Sequence, residues 1–138
     1  MKRNPLFILL LLLVAALGLV ACGSKESPAK PVSPSTLEEI EGSKLKRVIL
    51  TEKAAERIGV QAVEVDGLTV PYAAVVYDVE GGTWLYTNPS PLAFERVQVF
   101  IDRIEGDTAF LAERLETDPP VITVGVMEIY GSETGVSK

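Results

Sequence analysis

Between Leu45 and Gly131 the chain never runs far before it meets a turn signal. Asp66-Gly67, Gly81-Gly82, Asn88-Pro89-Ser90-Pro91, Glu105-Gly106-Asp107 and Asp118-Pro119-Pro120 cut it into short pieces. Glycine supplies positive φ, proline removes a backbone donor, and Asp and Asn bond their own backbone, so each cluster stops the element before it. What lies between is rich in Val, Ile, Thr and aromatic residues, in alternation or in brief apolar runs. Such pieces read as strands. The expected fold is mainly β: a small β-barrel or sandwich-like domain of six or seven short strands with one short helix.

The helix is placed by its caps. Thr51 stands before EKAAERI, with Ala54, Ala55 and Ile58 on a narrow apolar side and Gly59 at the C′ position. Strands are expected at Arg47–Leu50, along the alternating Val60–Val65, and through the stretch LTVPYAAVVYD, where Pro71 limits pairing at the start. A hairpin then joins Val75–Asp78 to Thr83–Tyr86 around Gly81-Gly82. If Asp78 faces Thr83, Tyr77 opposes Trp84, Val76 opposes Leu85 and Val75 opposes Tyr86. That register leaves apolar side chains on both faces, so one face needs a packed layer and the other needs a second layer or a partner. Further strands are expected in FERVQVFIDRI, with Val97, Val99 and Ile101 on one side, in TAFLAERL and in VITVG. The segment VMEIYG reads as one helical turn stopped by Gly131. Upstream, TLEEIEGSK has only Leu37 and Ile40 as anchors and reads as a frayed helical turn at best.

The first residues are set apart from the fold. Lys2 and Arg3 precede an apolar run from Leu6 to Ala21, shorter than the roughly 20 residues a spanning helix needs, with small residues at Gly18 and Ala21. This is the layout of a cleaved secretory signal. Leu19-Val20-Ala21-Cys22 resembles the lipobox of bacterial lipoproteins, and the resemblance implies that Cys22 is acylated and becomes the mature N-terminus. Each buried methylene would add about 0.8 kcal/mol of membrane attachment. GSKESPAKPVSPS, with three prolines and four serines, follows as a tether. The expected division is a signal at 1–21, lipidated cysteine and tether at 22–44, a β-domain at 45–131 and a flexible tail at 132–138.

Loss of the leader moves the charge from 13 − 19 = −6 to 11 − 19 = −8. An acidic body of this kind is a poor partner for nucleic acid and anionic head groups. With no histidine and one cysteine, taken up by the anchor, Ser/His and Cys/His nucleophiles and the usual zinc ligand sets are excluded. Two carboxylate groups remain, Asp78 with Glu80 and Asp102 with Glu105 and Asp107. Pairs like these serve glycoside hydrolysis or calcium binding in other settings, yet both sit at turns, where acidic residues are common for conformational reasons. Gly81-Gly82 lacks the lysine and following helix of a phosphate loop. No metal, cofactor or enzymatic activity is expected. The aromatic set Tyr72, Tyr77, Trp84 and Tyr86 is the candidate partner-binding group, core being the commoner use of such residues.

Three segments resemble the periplasmic adaptors, or membrane fusion proteins, of efflux pumps and type I secretion systems. Val48-Ile49-Leu50-Thr51 with Ala55, Gly59-Val60 and Val65 is similar to the segment entering their membrane-proximal β-domain. Val70-Pro71-Tyr72-Ala73-Ala74-Val75-Val76 with Thr83-Trp84-Leu85-Tyr86 is similar to a hairpin further on, and Val121-Ile122-Thr123-Val124-Gly125 to the closing strand. The adaptors' lipoyl-like domain and helical hairpin have no room between Gly67 and Val70, and Glu116-Thr117-Asp118-Pro119 replaces their glycine-aspartate. The resemblance thus implies a docking module without the reach of a full adaptor. The expected function is a non-enzymatic, lipid-anchored lipoprotein of the bacterial cell envelope, outside the cytoplasm, that docks on a membrane transporter subunit. The alternative is a solute- or cell-wall-binding lipoprotein with an aromatic-lined groove.

Overall fold

The structure, a computed structural model, describes residues 32–116 and 119–135. Cys22, with the signal and the first part of the tether through residue 31, lies outside the described residues. The described elements are mainly β: ten strands in two antiparallel sheets and two short helices. The strands are β1 (Ser35–Glu39), β2 (Lys46–Leu50), β3 (Gln61–Val63), β4 (Thr69–Pro71), β5 (Val76–Tyr77), β6 (Thr83–Ser90), β7 (Ala93–Val99), β8 (Ile101–Glu105), β9 (Thr108–Leu111) and β10 (Val121–Val124). The helices are α1 (Glu52–Ile58) and α2 (Val126–Thr134), and a 3₁₀ turn occupies Tyr72–Ala74.

The larger sheet runs β1-β2-β7-β6-β10-β3, with β5 pairing β6, and the smaller runs β4-β9-β8. Both are open, so of the two architectures the sequence allows, the sandwich-like one is found and not the barrel. The strand β6 explains the layering. Its side chains alternate between two apolar sets, and each set is buried. Tyr86 packs with Val48, Leu50, Val76, Phe94 and Ile122 beneath Ala54 of α1 and Val126 and Ile129 of α2. Leu85 packs on the other side with Val99, Val121 and the small sheet's Val70, Ala109 and Leu111. The central sheet is therefore covered by helices on one face and by three strands on the other. Both faces expected to need cover receive it from this same chain.

Helix α1 forms where its caps place it. The Thr51 side chain accepts from Ala54 N at 3.2 Å, and Gly59 at φ 70° donates to the carbonyls of Ala55 and Glu56. Four other expectations are corrected. The segment TLEEIEGSK is not a helical turn: Thr36–Glu39 belongs to β1, which pairs β2 along its full length from Ser35 opposite Leu50 to Glu39 opposite Lys46, and Ile40–Lys44 turns between the two strands. Cross-strand pairing overrides weak local propensity there, and the sheet begins at Ser35, ahead of the boundary expected at Leu45. The stretch LTVPYAAVVYD is two strands, because the 3₁₀ turn at Tyr72–Ala74 carries the chain from the small sheet to the large one. Likewise FERVQVFIDRI breaks at Phe100 into β7 and β8, in different sheets. Finally, α2 passes through Gly131 and ends at Gly135, whose φ is 75°.

The hairpin register is also shifted by one residue. Tyr77 faces Thr83 and Val76 faces Trp84. Asp78 N donates to Gly82 O at 3.0 Å and Gly81 N to Asp78 O at 3.1 Å, with Gly81 at φ 86°. That is a three-residue loop closed by a left-handed glycine, which adds the residue the symmetric pairing had omitted.

Candidate functional site

The loop of this hairpin is built on Asp78. Its Oδ1 accepts from Glu80 N at 2.9 Å and Gly82 N at 2.7 Å, and its Oδ2 from the Trp84 indole at 2.8 Å. These donors, the indole first, hold the carboxyl below the usual carboxylate range. Every oxygen of Asp78 is thus engaged in shaping the turn, and the Glu80 side chain is exposed. Asp102 and Glu105 are both bonded to Arg103, which stacks on Phe110. Among the described residues no group of three or more His, Cys, Asp or Glu is placed to hold a metal ion.

The four aromatics separate into two kinds. Tyr86 is fully buried, and its hydroxyl donates to Glu133 Oε2. Burial first, then that hydrogen bond, pushes the phenol far above its ordinary range. Trp84 is half-buried, with the Arg96 guanidinium 4.4 Å from its ring centre and 5.6 Å from that of Tyr130. Arg96 also pairs with Glu133 at 3.2 Å, the two side chains being 13% and 6% exposed. Tyr86, Trp84, Arg96, Tyr130 and Glu133 thus form a polar and aromatic clamp between α2 and the central sheet. Arg96 and Glu133 carry no mark in the sequence, since only the fold brings β7 under α2.

Tyr72 and Tyr77 are of the second kind, 40% and 48% exposed. A hydrogen bond shared with Tyr72, with partial burial, raises the Tyr77 phenol above its usual range. Val79, at the loop tip two residues beyond Tyr77, is 99% exposed. Phe100 is 60% exposed and follows Val99, which pairs with Thr83, which in turn faces Tyr77. Tyr72 and Tyr77 lie together with Val79 two residues beyond, whereas Phe100, between Val99 and Ile101 that both turn to the small-sheet core, faces the other way. Val79 and Phe100 were not among the expected contact residues. The signal that would have found Val79 is an aliphatic residue inside Asp78-Val79-Glu80-Gly81, at a turn position that polar residues ordinarily fill.

Two clefts lie elsewhere. One of about 440 Å³ is lined by Val63 to Asp66, Thr69 to Pro71, Asp107 and Thr108, and one of about 590 Å³ by Glu39 to Lys46. Neither includes Tyr72, Tyr77, Trp84 or Tyr86. No described helix is long and apolar enough to cross a membrane. Compared with known proteins, the chain finds no significant match to a family model, a curated protein or a solved structure.

Proposed function

We propose that this chain is an envelope lipoprotein whose β-domain is a non-enzymatic docking module for a membrane transport complex. The anchor half of this reading rests on the leader and Leu19-Val20-Ala21-Cys22, followed by the Pro/Ser-rich tether. The docking half is carried by one observation: Tyr72, Tyr77, Val79 and Phe100 remain exposed although both faces of the central sheet are already covered. Tyr72 and Tyr77, side by side and not needed by the core, suit contact with another molecule. Tethering confines the domain near membrane partners and raises its effective concentration, so a small surface suffices for specificity. The adaptor-like segments suggest a transporter as the class of partner. The clefts, which lack the aromatic set, lend the ligand-binding alternative less support.

Mass spectrometry of the mature N-terminus tests the anchor. The expected product begins at Cys22 with acyl chains attached, and Cys22→Ser leaves the protein uncleaved or released from the membrane fraction. An unmodified thiol on a freely soluble native product would sink the reading. Affinity recovery from solubilised native membranes tests the docking half, with a transporter subunit expected in defined stoichiometry. Binding of a glycan that shifts the melting temperature and is lost in Trp84→Phe would favour the alternative.

A further inference from the structure

The clamp between α2 and the central sheet is unequal on its two sides. On the sheet side each part is held by strands. Tyr86 on β6 stands directly opposite Arg96 on β7. The Trp84 indole is fixed from the hairpin loop by Asp78 at 2.8 Å, where Gly82 leaves room: a Cβ there would stand 2.7 Å from Asp78 Oδ2 and 3.0 Å from Trp84 Nε1. On the helix side one side chain does the holding. The buried residues of α2 are Val126 and Ile129, both ahead of its last turn. Past Tyr130 come Gly131, Ser132, Glu133 and Thr134, with no aliphatic or aromatic side chain and weak helix formers at three of the four places. Ser132 Oγ and Thr134 Oγ1 bond back to the Glu128 and Tyr130 carbonyls at 2.9 and 2.8 Å, so they add nothing across the interface. Among the described residues, Glu133 is the side chain of that turn bonded to the sheet. A turn of this composition with a single latch belongs to the low-stability end of the fold and opens ahead of the core.

The latch also fills its seat incompletely. One Glu133 oxygen accepts from the Tyr86 hydroxyl and the other pairs with Arg96 Nη2 at 3.2 Å. Arg96 Nε, the neighbouring donor on the guanidinium, is left buried with no acceptor among the described residues. The rings of Trp84 and Tyr130 lie against the guanidinium face but offer no acceptor in its plane. A carboxylate not tied to a helix backbone is free to take Nε and Nη2 together, in the two-pronged geometry that arginine and carboxylates favour.

We propose that Arg96, Tyr86 and Trp84 form a carboxylate-binding site that Glu133 occupies as an internal ligand, and that the last turn of α2 is a plug that lifts to admit an external carboxylate. The site shares no residue with the Tyr72–Tyr77 pair and does not depend on the docking function proposed above. Its ligand class follows from the seat: a planar anion with two oxygens, borne by a small organic acid or by an acidic residue of a polypeptide. The acidic body of the chain opposes any anion at long range, so binding comes from contact at the seat. Because the open state alone binds, the apparent affinity is lowered by its small population and rises when the internal competitor is removed.

The test uses the full chain with propionate as probe, neutral propionamide as control and Trp84, the one tryptophan of the chain, as fluorescent reporter, at constant ionic strength. In hydrogen exchange on the unaltered chain, the amides of Glu133, Thr134 and Gly135 should open on their own, about tenfold or more faster than that of Ile129, and propionate should speed them further while propionamide does not. Glu133→Gln keeps the shape of the latch and removes its charge, so propionate should then bind about tenfold or more tightly than to the unaltered chain. Arg96→Lys, which keeps a charge but lacks the fork, should abolish the response. A blocked Ala-Glu-Ala tripeptide separates the two sources: tighter binding than propionate assigns the site to an acidic segment of a polypeptide, and equal or weaker binding assigns it to a small acid. Exchange of the last turn only through global unfolding, a response to propionamide equal to that to propionate, or a Glu133→Gln chain indifferent to propionate would each overturn the proposal. Where Glu133→Gln does not fold, the exchange measurement on the unaltered chain decides alone.

Discussion

Arg96 and Glu133 meet where water is nearly excluded, and a buried ion pair behaves differently from one at the surface. Removing one partner strands a charge, at a cost of about 3–5 kcal/mol, while replacing both with apolar groups restores much of the loss. Arg96→Met and Glu133→Leu should therefore each destabilise strongly, and the double variant should recover most of the difference in urea unfolding. Singles that cost below about 1 kcal/mol would place the pair with ordinary surface pairs. The orphaned Arg96 Nε, buried without an acceptor among the described residues, fits a guanidinium held partly by the ring faces of Trp84 and Tyr130. Asp78 gives a pH signature of opposite origin. Its folded pKa is depressed, so its contribution is present above the unfolded value near 3.9 and is lost as pH falls through the folded one. Asp66 is lowered likewise, by Thr69 and Leu68 backbone donors. Melting temperature should drop between about pH 5 and pH 2, and Asp78→Asn should flatten that acid limb. An unchanged limb would show that the Trp84 and backbone bonds to Asp78 do not favour its ionised form.

The elements hold together through their ends. In α1, Thr51→Ala removes the bond to Ala54 N and should cost about 1 kcal/mol, read by chemical denaturation. The joint between β10 and α2 is tighter. Gly125 sits at φ 86°, and a Cβ there would stand 2.5 Å from Ile58 Cγ2 and 3.2 Å from Val60 Cγ2. Gly135 closes the same helix at φ 75° with open space around it. Gly135→Ala should lose about 1–2 kcal/mol from left-handed backbone alone. Gly125→Ala should lose distinctly more, because the Ile58 and Val60 side chains must give way to admit the methyl. Equal losses would mean that α1 and the α2 joint do not touch as described. The edge strand β1 needs protection of another sort: Glu38 and Glu39 on an exposed edge discourage pairing with a second chain.

At the scale of the whole molecule, the central sheet divides two cores that share strands but not side chains. Leu85 belongs to the core against the small sheet and Ile122 to the core against the helices, and both are fully buried. Each truncation to alanine should cost about 2–5 kcal/mol. Because the two sites lie on opposite faces, the double variant should show near-additive losses, within about 0.5 kcal/mol. A near-neutral Leu85→Ala would mean that the small sheet does not cover its face in solution. The clamp from α2 and Ala74 of the turn at Tyr72–Ala74 pack on opposite faces of β6.

Local chemistry was enough to read the β-rich character, the turns at Gly67, Gly81 and Gly106 and α1, because each depends on residues adjacent in the chain: a threonine cap, a left-handed glycine, an alternating run. The break expected at Asn88-Pro89-Ser90-Pro91 falls instead at Pro91-Leu92, since β6 runs on through Ser90. It also marked Trp84 and Tyr86 as unusual. It did not show that one is clamped and the other buried while Tyr72 and Tyr77 stay outside, since their surroundings come from β7, α2 and the turn before Thr108. The strand β1, the sheet change at Phe100, the Arg96–Glu133 pair and the continuation of α2 through Gly131 all arise from contacts between distant parts of the chain. Cooperative burial on both faces of the sheet chose these arrangements, and that energy exists only once the layers have met.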